Sequence, residues 1–344
     1  MKYYDVSHWG DSSGQSTTGT REKEILINPD TGKMCFLKYS MCKPGRDYAT
    51  EYWSEIIAYE VGRYLGFNVL EYDLAEKNGR FGCISENMVD TDSEQLIEGH
   101  SILTNYDASY DPEDKNMYSK YTFSFVKNAL DKYGYGAFIN DFIDILIFDS
   151  IIGNRDRHQS NWGFIHKRTQ TIECAEDGGK YIRKVIKKLK NSKQDKKENL
   201  EDVSKDVMSP IYDSGCCLGR ELSEESIKIR LSDDISFDGF IRKSQAELRR
   251  DDMPTKKVSH FDLLQYVMNL NDSYKQFVEK RIKEICDKYE EKEIINIIEN
   301  LESCVPCKSK LLCGMSSERK QFVVKVICCR IGKLKELVKN VPED

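Results

Sequence analysis

The sequence predicts an α+β fold in two lobes, a small β-rich lobe followed by a larger, mainly helical one. Three observations point there. Residues 1–92 carry short apolar runs separated by Asn-Pro-Asp-Thr-Gly and Lys-Asn-Gly turns, the pattern of antiparallel strands. A single helical stretch interrupts them. Beyond about Ser93, apolar residues recur mostly at helical spacing to the C-terminus. The expected lobes are therefore 1–92 and 93–344.

The elements follow in order. "EILINPDTGKMCFLKYS" gives two strands around a turn at Asn28-Pro29-Asp30-Thr31-Gly32, the second ending in Phe36-Leu37-Lys38. In "TEYWSEIIAYEVGRYLGFNV", Ile56, Tyr59, Val61 and Tyr64-Leu65 share helical spacing, and Gly66 is a natural C-terminal stop. "VLEYDLAEKNGRFGCISENMV" returns to strand, turn at Lys77-Asn78-Gly79, and strand. From about Ser93 the chain is expected to be helical, most clearly in "YTFSFVKNALDKYG" and "GAFINDFIDILIFDSIIG". Short strands follow around "WGFIHKRTQTIEC", then a lysine-rich insertion around 178–204. "MSPIYDSGCCLG" reads as an apolar, buried piece. From about His260 helices run to the end.

Composition bounds what such a chain can do. It has 344 residues, 39% hydrophobic and 32% charged, enough for a two-lobed enzyme and too apolar for a disordered chain. A formal net charge of −6 argues against a general nucleic-acid binder. No apolar run approaches the length of a membrane span, and the N-terminus lacks the basic-then-apolar pattern of a signal peptide. A cytoplasmic location is expected. Twelve cysteines in a long intracellular chain read as reduced thiols. Cys304, Cys307 and Cys313 include a CxxC spacing that suits zinc. With no fourth ligand nearby, they read as incidental thiols between helices. Cys216-Cys217 and Cys328-Cys329 read as core residues.

A β-rich lobe with one helix ahead of a helical lobe is the layout of a bilobal kinase, with ATP in the cleft between the lobes. Phosphoryl transfer needs few parts. They are backbone donors and a cation for the phosphates, hard oxygen ligands for Mg²⁺, and a carboxylate near the acceptor hydroxyl. Each has a candidate. In "GNRDRHQSNWGF", directly after the apolar run "FINDFIDILIFDSII", Asp156 and Asn161 are five residues apart. In a tight polar loop Asp156 can face the acceptor hydroxyl while Asn161 turns its carbonyl oxygen to Mg²⁺. Arg157 and His158 would brace the loop through hydrogen bonds. An Asp-x₄-Asn pair alone is weak evidence, but the whole string is far more restrictive.

Asp213 in "SPIYDSG" suits a second metal carboxylate projecting from a strand end, although Asp-Ser-Gly is also an ordinary turn. Lys38, ending a buried strand, needs a partner. Glu55 on the next helix is the first candidate, and Glu51, one turn earlier, the second. The Gly-, Ser- and Thr-rich "DSSGQSTTGTREKE" suits a loop covering the phosphates, with Gly14 and Gly19 allowing close backbone approach and Lys23 adding charge. It matches neither GxGxxG nor GxxxxGK[ST]. Glu86-Asn87-Met88, after a strand, suit a hinge whose backbone meets adenine.

Together these pieces resemble the HipA-like serine/threonine kinases, including the shorter CtkA-type members. The family's phosphate loop is similar to S-x-x-G-x-x-x-K, and here Ser16, Gly19 and Lys23 fall on it. Its strand lysine falls on Lys38 in "FLKYS", and its helix glutamate on Glu55 in "SEIIAYEVGRYLG". Its catalytic aspartate and metal-binding asparagine fall on Asp156 and Asn161, and its second metal aspartate on Asp213. The resemblance implies a kinase fold, ATP and Mg²⁺, and phosphorylation of serine or threonine in a protein substrate. It also implies autophosphorylation on the phosphate loop, at Ser16.

The Asp-Arg-His-x-x-Asn core is similar to that of phosphatidylinositol kinases, so a lipid or small-molecule kinase is the alternative. A nucleotide-binding regulator without turnover is the second. HipA toxins carry an additional N-terminal subdomain before the phosphate loop. Here only about ten residues precede it, so a HipA-style antitoxin partner is left open. In the lysine-rich insertion Ile182, Val185, Ile186 and Leu189 lie at helical spacing with lysines opposite. That face suits an acidic partner, nucleic acid or a membrane surface, and a merely solvated helix has the same pattern.

Overall fold

The computed structural model describes residues 1–11, 22–43, 46–48, 50–167 and 206–339. Ser16 and Gly19 of the expected phosphate loop, and the lysine-rich insertion, lie outside the described residues. The N-terminal residues, not anticipated as strand, form β1 (Tyr3–Asp5) and β2 (Gly10–Asp11). Next come β3 (Lys23–Ile27) and β4 (Met34–Tyr39), antiparallel as expected. Asn28 shapes their turn: its side-chain oxygen accepts the N–H groups of Asp30 and Thr31. A small hairpin, β5 (Cys42–Lys43) with β6 (Arg46–Asp47), leads into α1 (Glu51–Leu65), which stops at Gly66. The hairpin of β7 (Asp73–Lys77) and β8 (Arg80–Glu86) turns at Asn78-Gly79, both with positive φ.

These strands make one six-stranded sheet in the order β1-β7-β8-β4-β3-β2. β1 runs parallel to β7 and the other pairs are antiparallel. Side chains alternate across it. Leu26, Leu37, Ala75 and Ile84 close a small core with Val6 and Trp9. Leu74 and Cys83 belong to the main core with α1. Lys38 pairs with Cys83 in the β4–β8 ladder and so shares its face.

The segment expected to turn helical at Ser93 first makes another strand. β9 (Glu94–Glu98) pairs with β10 (Gly163–Lys167), which pairs in turn with β11 (Val207–Met208). A partner strand more than sixty residues further along drew these five residues into a strand, which no local pattern announces. α2 (Gly99–Tyr106), α3 (Phe123–Lys132) and α4 (Ile139–Ile152) follow. α4 is apolar nearly all round and lies at the centre of the main core.

Two helices ahead of His260 were not anticipated, α5 (Glu224–Ser232) and α6 (Asp234–Lys243), capped by Ser223 and Asp233. α5 buries only Ile227 and leaves Ile229 exposed, so it shows little helical periodicity. From His260 the chain is helical as expected: α7 (His260–Leu270), α8 (Asp272–Lys288), α9 (Glu291–Asn300), α10 (Cys307–Cys313) and α11 (Ser317–Lys339).

Among the described residues no helix is long and apolar enough to cross a membrane. Cys304 and Cys307 are exposed while Cys313 is buried. No group of three or more His, Cys, Asp or Glu among the described residues is placed to hold a metal ion. Cys216 and Cys217 are buried as expected, whereas Cys328 and Cys329 are only half-buried.

Candidate active site

β4 carries Lys38 to the inner end of the sheet, where it is 9% exposed. β8 must come close for this. A Cβ on Gly82 would sit 2.3 Å from the Lys38 carbonyl oxygen, so only glycine fits. The Lys38 ammonium lies 3.1 Å from Asp213 Oδ1, 3.1 Å from the Tyr72 hydroxyl and 3.6 Å from Glu55 Oε1. Burial alone pulls this amine down. Asp213, Tyr72 and Glu55 outweigh it and hold the ammonium well above the ordinary lysine value. Glu55, on α1, accepts the Ser214 N–H at 2.8 Å through its other oxygen. Glu51, the second candidate partner of Lys38, instead binds the Arg220 guanidinium and the Met41 N–H. Lys23 stands directly opposite Lys38 in the β3–β4 ladder and therefore on the same face.

Asp213 does not end a regular strand. Ile211 makes an isolated bridge to Val69, and Asp213 itself sits in the left-handed region with φ 53°. An aspartate tolerates that conformation at modest cost. Its N–H donates to the Tyr72 hydroxyl at 3.3 Å, the same oxygen that accepts from Lys38. Burial raises the Tyr72 phenol, so it stays a neutral acceptor and holds both candidate residues together. Nothing in the sequence signals Tyr72.

The loop after α4 is built around Arg157, which is 2% exposed. Its guanidinium donates to both Asp149 oxygens at 3.0 and 2.9 Å. It also donates to the main-chain oxygens of Asn161 and Tyr212 and to Ser214 Oγ. Burial alone lowers Arg157, and the Asp149 charge more than reverses this. One side chain thus fastens the loop of Asp156 and Asn161 to the segment of Asp213. Asp149 was not singled out from the sequence, although an acid inside "FIDILIFDSII" needs a buried partner.

The hydrogen bonds of His158 are local to the loop. Its Nδ1 accepts the Ser160 N–H at 3.3 Å and its carbonyl accepts the Asn161 N–H at 2.9 Å. The loop's entry is held from elsewhere, because His260 Nε2 donates to the Asn154 carbonyl at 2.6 Å. Asn161 Nδ2 donates to the Asp156 carbonyl at 2.8 Å. Asn161 is 4% exposed, yet its Oδ1 has no partner among the described residues. Asp156 is half-buried, and its Oδ2 accepts the Cys216 thiol at 3.0 Å.

The Asn161 amide oxygen and the partly exposed Asp213 carboxylate are hard oxygen donors that could hold a cation, and they stand on two segments tied by one guanidinium. Glu86 ends β8 with its carboxylate exposed on Lys33 at 2.8 Å, and Met88 is half-buried in the link to β9. The remaining phosphate-loop candidates, Ser16 and Gly19, lie outside the described residues.

No protein-family model matches the chain, and no curated protein does. Among solved structures, the Helicobacter pylori proinflammatory kinase CtkA aligns with TM-score 0.72 and 18% identity, covering 99% of each chain. A chain of the Shewanella oneidensis MR-1 toxin–antitoxin complex of HipA, HipB and operator DNA aligns with TM-score 0.48 and 12% identity, covering 98% of this chain and 70% of its own. The six-stranded sheet with α1, joined to the helices around α4, is therefore the bilobal α+β fold of the Helicobacter pylori kinase CtkA, as the CtkA-type resemblance of the sequence implied.

Proposed function

We propose that the chain is an ATP- and Mg²⁺-dependent kinase that phosphorylates serine or threonine in a protein. The observation that carries this is the Arg157 clamp. It gathers Asp156, Asn161 and Asp213, from a loop and a segment more than fifty residues apart, next to a lysine held by Glu55. Two carboxylates, an amide oxygen and a buried ammonium on segments tied together in this way suit phosphoryl transfer.

Asp156 orients the acceptor hydroxyl and takes its proton as the phosphoryl group arrives. Lys38 neutralises phosphate charge, and Lys23, opposite it, adds a second cation. Asn161 and Asp213 hold Mg²⁺, which offsets charge on the phosphate oxygens. Glu86 and Met88 lie in the stretch whose backbone would meet adenine. Autophosphorylation at Ser16 is supported by the sequence resemblance alone.

The test uses ATP labelled on the γ-phosphate, with Mg²⁺, offered to casein and to phosphoinositide vesicles. Label is expected on serine or threonine of protein, including the chain itself. Asp156→Ala should lower it by about 10²–10⁴-fold while ATP binding persists. Label on lipid alone would select the phosphatidylinositol-kinase reading. A wild-type protein that binds ATP and Mg²⁺ without any transfer would overturn the proposal.

A further inference from the structure

We infer that Cys216 is a positioning residue for Asp156: its thiol fixes one carboxylate oxygen so that the other faces the acceptor hydroxyl. This rests on the kinase reading above. Cys216 Sγ lies 3.0 Å from Asp156 Oδ2. An ionised carboxylate only accepts, so the S–H is the donor.

The backbone of Asp156 is pinned on both sides. Its N–H donates to Asn154 Oδ1 at 3.2 Å and its carbonyl accepts from Asn161 Nδ2 at 2.8 Å. The carboxylate is not pinned by these bonds, because rotation about the last bond of an aspartate is broad and soft. Among the described residues, the Cys216 thiol is the one hydrogen-bond partner of that carboxylate. A single donor on Oδ2 selects one plane for the group and leaves Oδ1 without a partner among the described residues.

The sulfur can act as a reference point because its own segment is fastened along its length. Ser214 is held by Glu55 and Arg157. The Cys216 carbonyl accepts the Arg155 N–H at 3.2 Å, and the Leu218 N–H donates to the Ile152 carbonyl at 3.1 Å. Cys216 is 9% exposed and Cys217 2%. The segment therefore meets the loop twice around Asp156, once through backbone and once through the thiol. A thiol is a weak donor, so it sets direction without taking the carboxylate up in an ion pair. A lysine or arginine there would pair with the group and occupy it.

The experiment compares wild type with Cys216→Ser, Cys216→Ala and Cys216→Val, and with Asp156→Asn, using steady-state transfer to casein and ATP affinity. Removing one weak directing hydrogen bond should lower kcat by about three- to tenfold. Cys216→Ala should do this with the KM for ATP unchanged. Cys216→Val fills the volume without a donor and should match it, which keeps the reading intact if the alanine variant melts below the assay temperature. Cys216→Ser restores a donor and should recover at least about half of wild-type kcat.

Wild-type kcat in both Cys216→Ala and Cys216→Val, with Asp156→Asn inactive, overturns the inference and leaves the kinase reading standing. Equal losses in Ser, Ala and Val overturn it as well, since packing would then explain the effect. Full activity in Asp156→Asn overturns the assignment of Asp156 itself.

Discussion

At the scale of single residues, Arg157 makes five hydrogen bonds, two of them to a buried carboxylate. Removing one partner of a buried ion pair strands the other. Arg157→Met should therefore cost about 3–5 kcal/mol in urea unfolding, and the double variant with Asp149→Leu should cost less than the sum of the two single changes. Additive losses would show that the two side chains do not act as a pair.

His260 makes a different prediction. Its Nε2 donates to Asn154, and its Nδ1 accepts from Arg330 at 3.0 Å, so the ring is neutral. Burial, then the Arg330 charge, lowers it from 6.5 to about 3. A folded-state value below the unfolded one means the unfolded chain takes the proton first. The contribution is fully present above pH 6.5 and is lost as pH falls toward 3. Lowering the pH from 7.5 to 5.5 should cost about 1.4 kcal/mol through this group. His260→Gln should remove that share of the pH dependence in urea melts, and an unchanged pH dependence would refute it.

At the scale of elements, the β4–β8 ladder sets the position of Lys38. Gly82→Ala places a methyl 2.3 Å from a backbone oxygen that cannot move alone. The strands must separate, at about 1–3 kcal/mol, and Lys38 must shift with them. Weaker unfolding midpoint and weaker ATP affinity should appear together, and affinity retained at full would show that Lys38 does not depend on this contact. Gly239 in α6 is the opposite case, since nothing lies within 4 Å of a Cβ there. Gly239→Ala should stabilise the protein by about 0.5–1 kcal/mol, measured in urea. The sheet hairpins were legible because Asn28-Pro29 and Asn78-Gly79 are local turn signals. β9 was not, because its strand character comes from β10, more than sixty residues away.

At the scale of the whole molecule, α1 is stapled to the C-terminal helices. The Trp53 indole and Tyr52 hydroxyl both donate to the Cys313 carbonyl, at 2.7 and 3.2 Å. α11 then buries Phe322, Val326, Ile327 and Leu334 in the core around α4, and Arg330 reaches the Ser150 carbonyl beneath the candidate loop. Sheet, loop and last helix thus share one core. A chain ending at Gly314 should lose cooperative unfolding altogether, seen as absent near-ultraviolet dichroism and a broad urea curve. A sharp transition in that chain would mean that α11 is dispensable to the rest.

The sequence by itself determined most helices, the two hairpins and the inventory of polar parts: Lys38, Glu55, Asp156, Asn161 and Asp213. Periodicity, turn residues and acids among apolar neighbours are local, and they survive in a linear string. Only the tertiary structure decided which parts meet. It gave Glu51 to Arg220 rather than to Lys38, put Asp149 under Arg157, set Tyr72 between Lys38 and Asp213, and laid the Cys216 thiol on Asp156. Lys38 and Asp213 are separated by 175 positions. Such pairings follow from how the sheet and helices pack around α4, and no spacing along the chain encodes them.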